Sequence, residues 1–171
     1  MSEPRLSLNE HEVKETIEID VYYPDHPPRM ESAVFRKTVA DGKHAGTRCC
    51  VSGDPHPEYH HVFIEWADAE AVNWVAVQKQ GLRSAEALAQ DGTLLGWILA
   101  LTKLRGFDWT TFDPAKPEQF VDSPQNMIPL AAKYHRLKDH GIHMLPFPIF
   151  IMQAWPRAGK FVFSPDEAPG S

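Results

Sequence analysis

The chain has 171 residues, 43% hydrophobic and 23% charged, which suits one globular domain with a real core and excludes global disorder. A net charge of −6 argues against a surface that grips DNA over its whole extent, while leaving room for a small basic face. No apolar run is long enough for a membrane span, the polar, acidic start MSEPRLSLNEHEVKE is unlike a secretory signal, and the 2 cysteines are adjacent, so a disulfide framework is excluded and a cytoplasmic location is expected.

Residues 1–14 and 164–171 read as frayed ends. ETIEIDVYY (Glu15–Tyr23) alternates apolar and polar residues and predicts a strand. ESAVFRKTVADGK predicts a short helix ending near Gly42. TRCCVSG and YHHVFIE predict two short strands around a turn at Gly53, Asp54 and Pro55. EWADAEAVNWVAVQKQG predicts a helix closed by Gly81, and SAEALAQDGTLLGWILALTKLRG a second one closed by Gly106. In the latter, Leu88, Leu95, Ile98, Leu99 and Thr102 share one face. FDWTTFDPAKPEQFVDSP is a loop rich in aromatics and prolines. QNMIPLAAKYHRLKDHG starts extended and turns helical after Pro129; PFPIFIMQAWPR predicts a short apolar helix, and KFVFS a last strand. The order implies an α+β fold.

The histidines carry the chemistry. There are 9, of which His56, His60 and His61 fall in one window and His135, His140 and His143 in another. Histidine is both a metal ligand and a base near neutral pH. The pair at 60 and 61 therefore offers one ligand and one base, and His135 a second ligand from a helix. A third comes from His140, His143 or Asp139; the helical position four residues on is Asp139, but Gly141 breaks the helix and lets His143 curl back, which favours His143. Glu58 and Glu65 flank the pair, where a carboxylate can orient a ligand, though the surface reading is favoured for both.

The segments CCVSG…YHHV and QNMIPLAAKYHRLKDHGIH resemble the HNH endonucleases, and more loosely the small phage- and prophage-associated members of that family. In that family a hairpin carries an Asp-His or His-His pair, an Asn begins the next strand, and a His follows nine residues later; here Asn126 plus nine is His135. Cys49 precedes His60 by eleven residues, and Gly53 falls at the glycine of the family's zinc knuckle. The resemblance implies a single domain over 1–171 with a ββα-metal core at about 45–65 and 122–145, interrupted by a helical insertion at about 66–121. It implies His60, His135 and His143 as ligands of one divalent ion (Mg²⁺, Mn²⁺, Ni²⁺ or Zn²⁺), His61 as general base, and Asn126 as the residue that holds the hairpin and orients the His61 ring. The implied activity is hydrolysis of phosphodiester bonds in nucleic acid, DNA foremost, with a phage or host protein as a further partner.

The departures are equally specific. Ser52, Ala131 and Tyr134 stand where the family's structural zinc takes cysteines, so no structural zinc held by four cysteines is expected. Packing must replace it, and helices bearing Trp66, Trp74, Trp97 and Trp109 are the expected replacement, as core residues. Lys133, Arg136 and Lys138 mark either the path of a phosphate backbone or a solvated helix face. The competing reading is an inactive member of the fold that keeps a structural metal site for binding or assembly. A metallohydrolase of small phosphoesters is a remoter one.

Overall fold

The computed structural model describes residues 30–136, 141–144, 151 and 154–156. The strands expected at 15–23 and 160–164 and the ligand alternatives Asp139 and His140 lie outside the described residues, as do Lys138 and most of the helix expected after Pro146. Among the described residues, helices surround one two-stranded antiparallel sheet, an α+β arrangement, and no helix is long and apolar enough to cross a membrane.

The first helix, α1 (Ala33–His44), begins where the Ser32 side chain accepts the Phe35 amide. It runs two residues past Gly42, because Gly42 answers to a neighbour rather than ending the helix. A Cβ there would fall 1.7 Å from the Tyr59 hydroxyl.

Strand β1 (Glu58–His61) pairs with β2 (Met127–Leu130), with His60 opposite Ile128 and His61 opposite Met127. The expected hairpin between 47–53 and 59–65 is therefore corrected. The cysteine segment forms a tight turn instead, with the Cys49 amide on the Asp54 carbonyl at 2.9 Å and the Gly53 amide on the Cys49 carbonyl at 2.8 Å. Gly53 takes φ +73° in it, which suits a residue without a Cβ. The Cys50 amide reaches the outer side of β2 at the Pro129 carbonyl, 2.9 Å away. Pro129 is tolerated mid-strand because the Val62 amide bonds the Asn126 carbonyl, which puts Pro129 at a position whose backbone faces away from β1.

The two helices expected after Glu65 break into four pieces. A 3-10 segment (Trp66–Ala71) precedes α2 (Trp74–Gly81), which the Asn73 side chain caps. Then follow α3 (Ala85–Ala89), capped by Ser84, and α4 (Leu94–Leu104), capped by Thr93. Side-chain caps satisfy amides that would otherwise be orphaned, so each polar residue at these sites restarts the helix. The shared face on α3 and α4 forms as expected: Leu88, Leu95, Ile98, Leu99 and Thr102 are all buried. That phase turns Trp97 outward, 52% exposed, against expectation. Trp74 and Trp109 are core, and Trp66 packs partly buried at its edge.

The aromatic loop folds back as core. Phe107, Trp109 and Phe112 cluster with Phe120 of α5 (Glu118–Val121), and the Trp109 and Phe107 ring centroids each lie 5.0 Å from that of Phe120. Trp155 packs at 5.6 Å on Trp74 and donates its indole N–H to the Phe63 carbonyl at 2.9 Å, so a residue near the far end of the chain steadies the exit of β1. Gly81, expected as a left-handed cap, is instead the last residue of α2; its place is set by the Trp109 ring, 2.5 Å from where a Cβ would sit.

Asn126 fixes the sheet to this core. Its Oδ1 accepts the amides of Phe63 at 2.9 Å and Ile64 at 3.2 Å, and its Nδ2 donates to the carbonyls of Ile64 at 2.9 Å and Val121 at 2.7 Å. The side chain is fully buried, so each backbone group it leaves would cost about 1–3 kcal/mol. Asn126→Ala is expected to destabilise the protein by about 3–5 kcal/mol in denaturant titration, as loss of a buried network does. Gly81→Ala is expected to cost about 1–3 kcal/mol by overpacking, with a change in tryptophan fluorescence as the Trp109 ring gives way.

Candidate metal centre

Alternation along β1 puts Glu58 and His60 on one face and Tyr59 and His61 on the other. The first face is covered by α6 (Ala132–Arg136), which follows β2 directly and carries His135. A 3-10 turn (Ile142–Met144) then brings His143 back against α6. His60, His135 and His143 each offer a ring nitrogen, and these three atoms lie within 4.8 Å of one another. The Nε2 atoms of His135 and His143 are 2.9 Å apart, and the His60 ring lies 5.4 Å from that of His135 and 4.7 Å from that of His143.

The donor set suits a cation. His60 Nε2 is shut off from solvent and has no hydrogen-bond partner among the described residues. Burial pushes the His60 imidazole down to about 4, only partly opposed by Glu65, so its ring is neutral at neutral pH. Burial also lowers His143. His135 Nδ1–H donates to Glu58 Oε2 at 2.7 Å, which turns His135 Nε2 toward the cluster. This carboxylate–imidazole pairing is the usual support behind a metal-binding histidine. Arg136 donates to the other Glu58 oxygen at 2.6 Å. The His135 hydrogen bond, helped by Arg136, holds Glu58 below the usual carboxylate range. Glu58 thus supports the cluster through His135, the ligand-orienting of its two sequence readings rather than the surface one.

His61 lies beside the cluster on the opposite strand face, buried at 3% exposure rather than turned to water. Its Nε2–H donates to Asp122 Oδ1 at 3.0 Å, and its Nδ1 is 3.5 Å from Glu65 Oε2. The Asn126 side chain bonds backbone groups. It holds Val121, and with the Thr38 hydroxyl on the Asp122 carbonyl at 2.9 Å it places the residue that bonds the ring. Asp122 carries no sequence signal, lying inside a segment read as loop. Glu65, also read as surface, curls back past the end of β1 between the two histidines, with Oε1 3.8 Å from His60 Nε2. Burial raises its carboxyl, but the His61 and His60 imidazoles outweigh burial and leave it below the usual range.

The turn at 49–54 holds a buried cysteine. Cys49 is buried, and although burial works against the thiolate, the Ser52 side chain and the amides of Ser52, Ala131 and Val51 bring its thiol down to about 7. Cys50 is exposed, and both are free thiols. Of the basic residues on α6, Arg136 is engaged by Glu58, and the Lys133 ammonium lies 4.7 Å over the Tyr134 ring. Comparison of the chain with protein-family models, with curated proteins and with solved structures found no match.

Proposed function

We propose that β1, β2 and α6 form a ββα-metal unit and that the protein is a metal-dependent endonuclease acting on nucleic acid, DNA foremost. The convergence of His60, His135 and His143 from a strand, the helix after its partner strand and the turn beyond carries the reading. The Glu58 support behind His135 and the unpartnered His60 Nε2 fit a divalent ion better than a structural hydrogen-bond cluster does. Three imidazoles favour Zn²⁺ or Ni²⁺ over Mn²⁺ and Mg²⁺, which prefer oxygen ligands. When bound, the ion would stabilise negative charge on the scissile phosphate and its leaving oxygen.

The rest of the chemistry belongs to the chain. Asp122 holds the proton on His61 Nε2 and so leaves Nδ1 as the basic atom, next to the cluster. Asn126 keeps β1 and the Asp122 segment in register, so His60 and His61 hold their separate roles. Among the described residues of α6, Lys133 is the cation that remains for a phosphate backbone.

The burial of His61 favours a second reading, in which the same ion site staples a binding or assembly protein that cleaves nothing. The two readings separate on purified protein given Mn²⁺, Ni²⁺, Zn²⁺ or Mg²⁺ with supercoiled plasmid, single-stranded DNA and RNA, and a chelator control. For the nuclease, His61→Ala should retain stoichiometric ion and lose about 10²–10⁴-fold in cleavage rate. His135→Ala should lose ion and cleavage together, along with the stabilisation that bound ion gives. Ion binding without cleavage of any nucleic acid by wild type would establish the stapled binding protein.

A further inference from the structure

Glu65 presents two facts that a surface carboxylate does not. Its Oε1 is shut off from solvent yet has no hydrogen-bond partner among the described residues. A ring nitrogen in the same condition, His60 Nε2, faces it across 3.8 Å. That gap is too long for a hydrogen bond, so the two buried polar atoms face each other with neither satisfied by a described side chain. Buried polar groups are left this way at a cost unless something else satisfies them.

Charge gives the same direction. Three imidazole ligands bring no negative charge to a divalent ion, and a doubly charged ion among buried rings needs a counter-charge nearby. Glu58 is already committed to His135 and Arg136 through both oxygens. Asp122 is on the other side of His61, bonded to its Nε2. Among the described carboxylates at the cluster Glu65 remains, and it stands outside the three-histidine set whose ligand atoms lie within 4.8 Å. The oxygen faces the cluster from its edge, 3.8 Å from His60 Nε2, rather than from among the rings.

We propose that Glu65 is the anionic outer-sphere partner of the metal centre. Its Oε1 accepts a hydrogen bond from the ion's remaining coordination shell, while its Oε2 lies 3.5 Å from His61 Nδ1. This rests on the metal reading above and adds to it the residue that sets ion affinity through charge. It also places one carboxylate between the strand's two histidines, 3.8 Å from His60 Nε2 and 3.5 Å from His61 Nδ1.

The test is a titration of metal-free full-length protein with Co²⁺, read by its visible absorption, and with Zn²⁺ by competition. Glu65→Gln keeps the shape and removes the charge. It should weaken ion binding by about 10–100-fold, as loss of an outer-shell partner does, while the Co²⁺ bands keep their position and intensity. The metal-free variant should match wild type in circular dichroism, which reports that the fold is intact; Glu65→Asp serves as the second variant and should bind between the two. Unchanged affinity in Glu65→Gln, with wild type binding normally, would overturn the inference and leave the metal centre standing. Shifted Co²⁺ bands would also overturn it, by showing direct ligation. Failure of wild type to bind any ion would instead remove the metal reading itself, and this inference with it.

Discussion

One side chain holds the two halves of the site in register. The Asn126 amide commits its oxygen to the amides of Phe63 and Ile64 and its nitrogen to the carbonyls of Ile64 and Val121. An asparagine can make these bonds at once because it carries both a donor and an acceptor on one rigid plane. Aspartate would repel the two carbonyls, and leucine would leave every partner unsatisfied. The clamp fixes where β1 ends, where α5 ends and where β2 begins. His61, Asp122 and the start of the strand leading to His135 are all placed by those three points.

The division of labour between the strand faces follows from that register. A one-residue slip of β1 against β2 would exchange the faces of His60 and His61. His60 would then meet Asp122, and His61 would meet His135. The four-residue strands are too short to resist such a slip by ladder bonds alone, so the clamp and the Trp155 bond to the Phe63 carbonyl do it from outside the sheet. The cysteine turn adds a third anchor through the Cys50 amide on Pro129. Where four thiolates around zinc would tie such segments through metal bonds, here hydrogen bonds and an aromatic core hold them.

Much of this was legible in the sequence where local chemistry decides. The buried face of α3 and α4 follows from helical spacing, and the convergence of His60, His135 and His143 was suggested by motif spacing. The misread features depend on distant partners. Adjacency of the two segments predicts a hairpin at Gly53, but β1 takes a partner 66 residues on, from His61 to Met127. Gly81 looks like a cap in sequence and is a space for Trp109 in the fold. Trp97 is as apolar as Trp74, and only the phase of α4 turns it outward. Glu58 and Glu65 are charged residues by a turn, and their roles depend on rings that arrive from α6 and from across the strand. Asp122 has no local pattern at all, since its role is given by what Asn126 and Thr38 do to its backbone.

The long reach of β1 has a consequence for synthesis. A ribosome adding about 5–20 residues per second makes Met127 roughly 3–13 seconds after His61, and Trp155 later still. Throughout that interval the nascent β1 has neither its partner strand nor its aromatic buttress. An unpaired strand is a template for aggregation when it is long and apolar. β1 is neither: Glu-Tyr-His-His is four residues long, polar, and preceded by Pro55 and Pro57, which cannot donate to a growing ladder. The composition that suits these residues to a metal centre also lets them wait, in solution, for the rest of the chain.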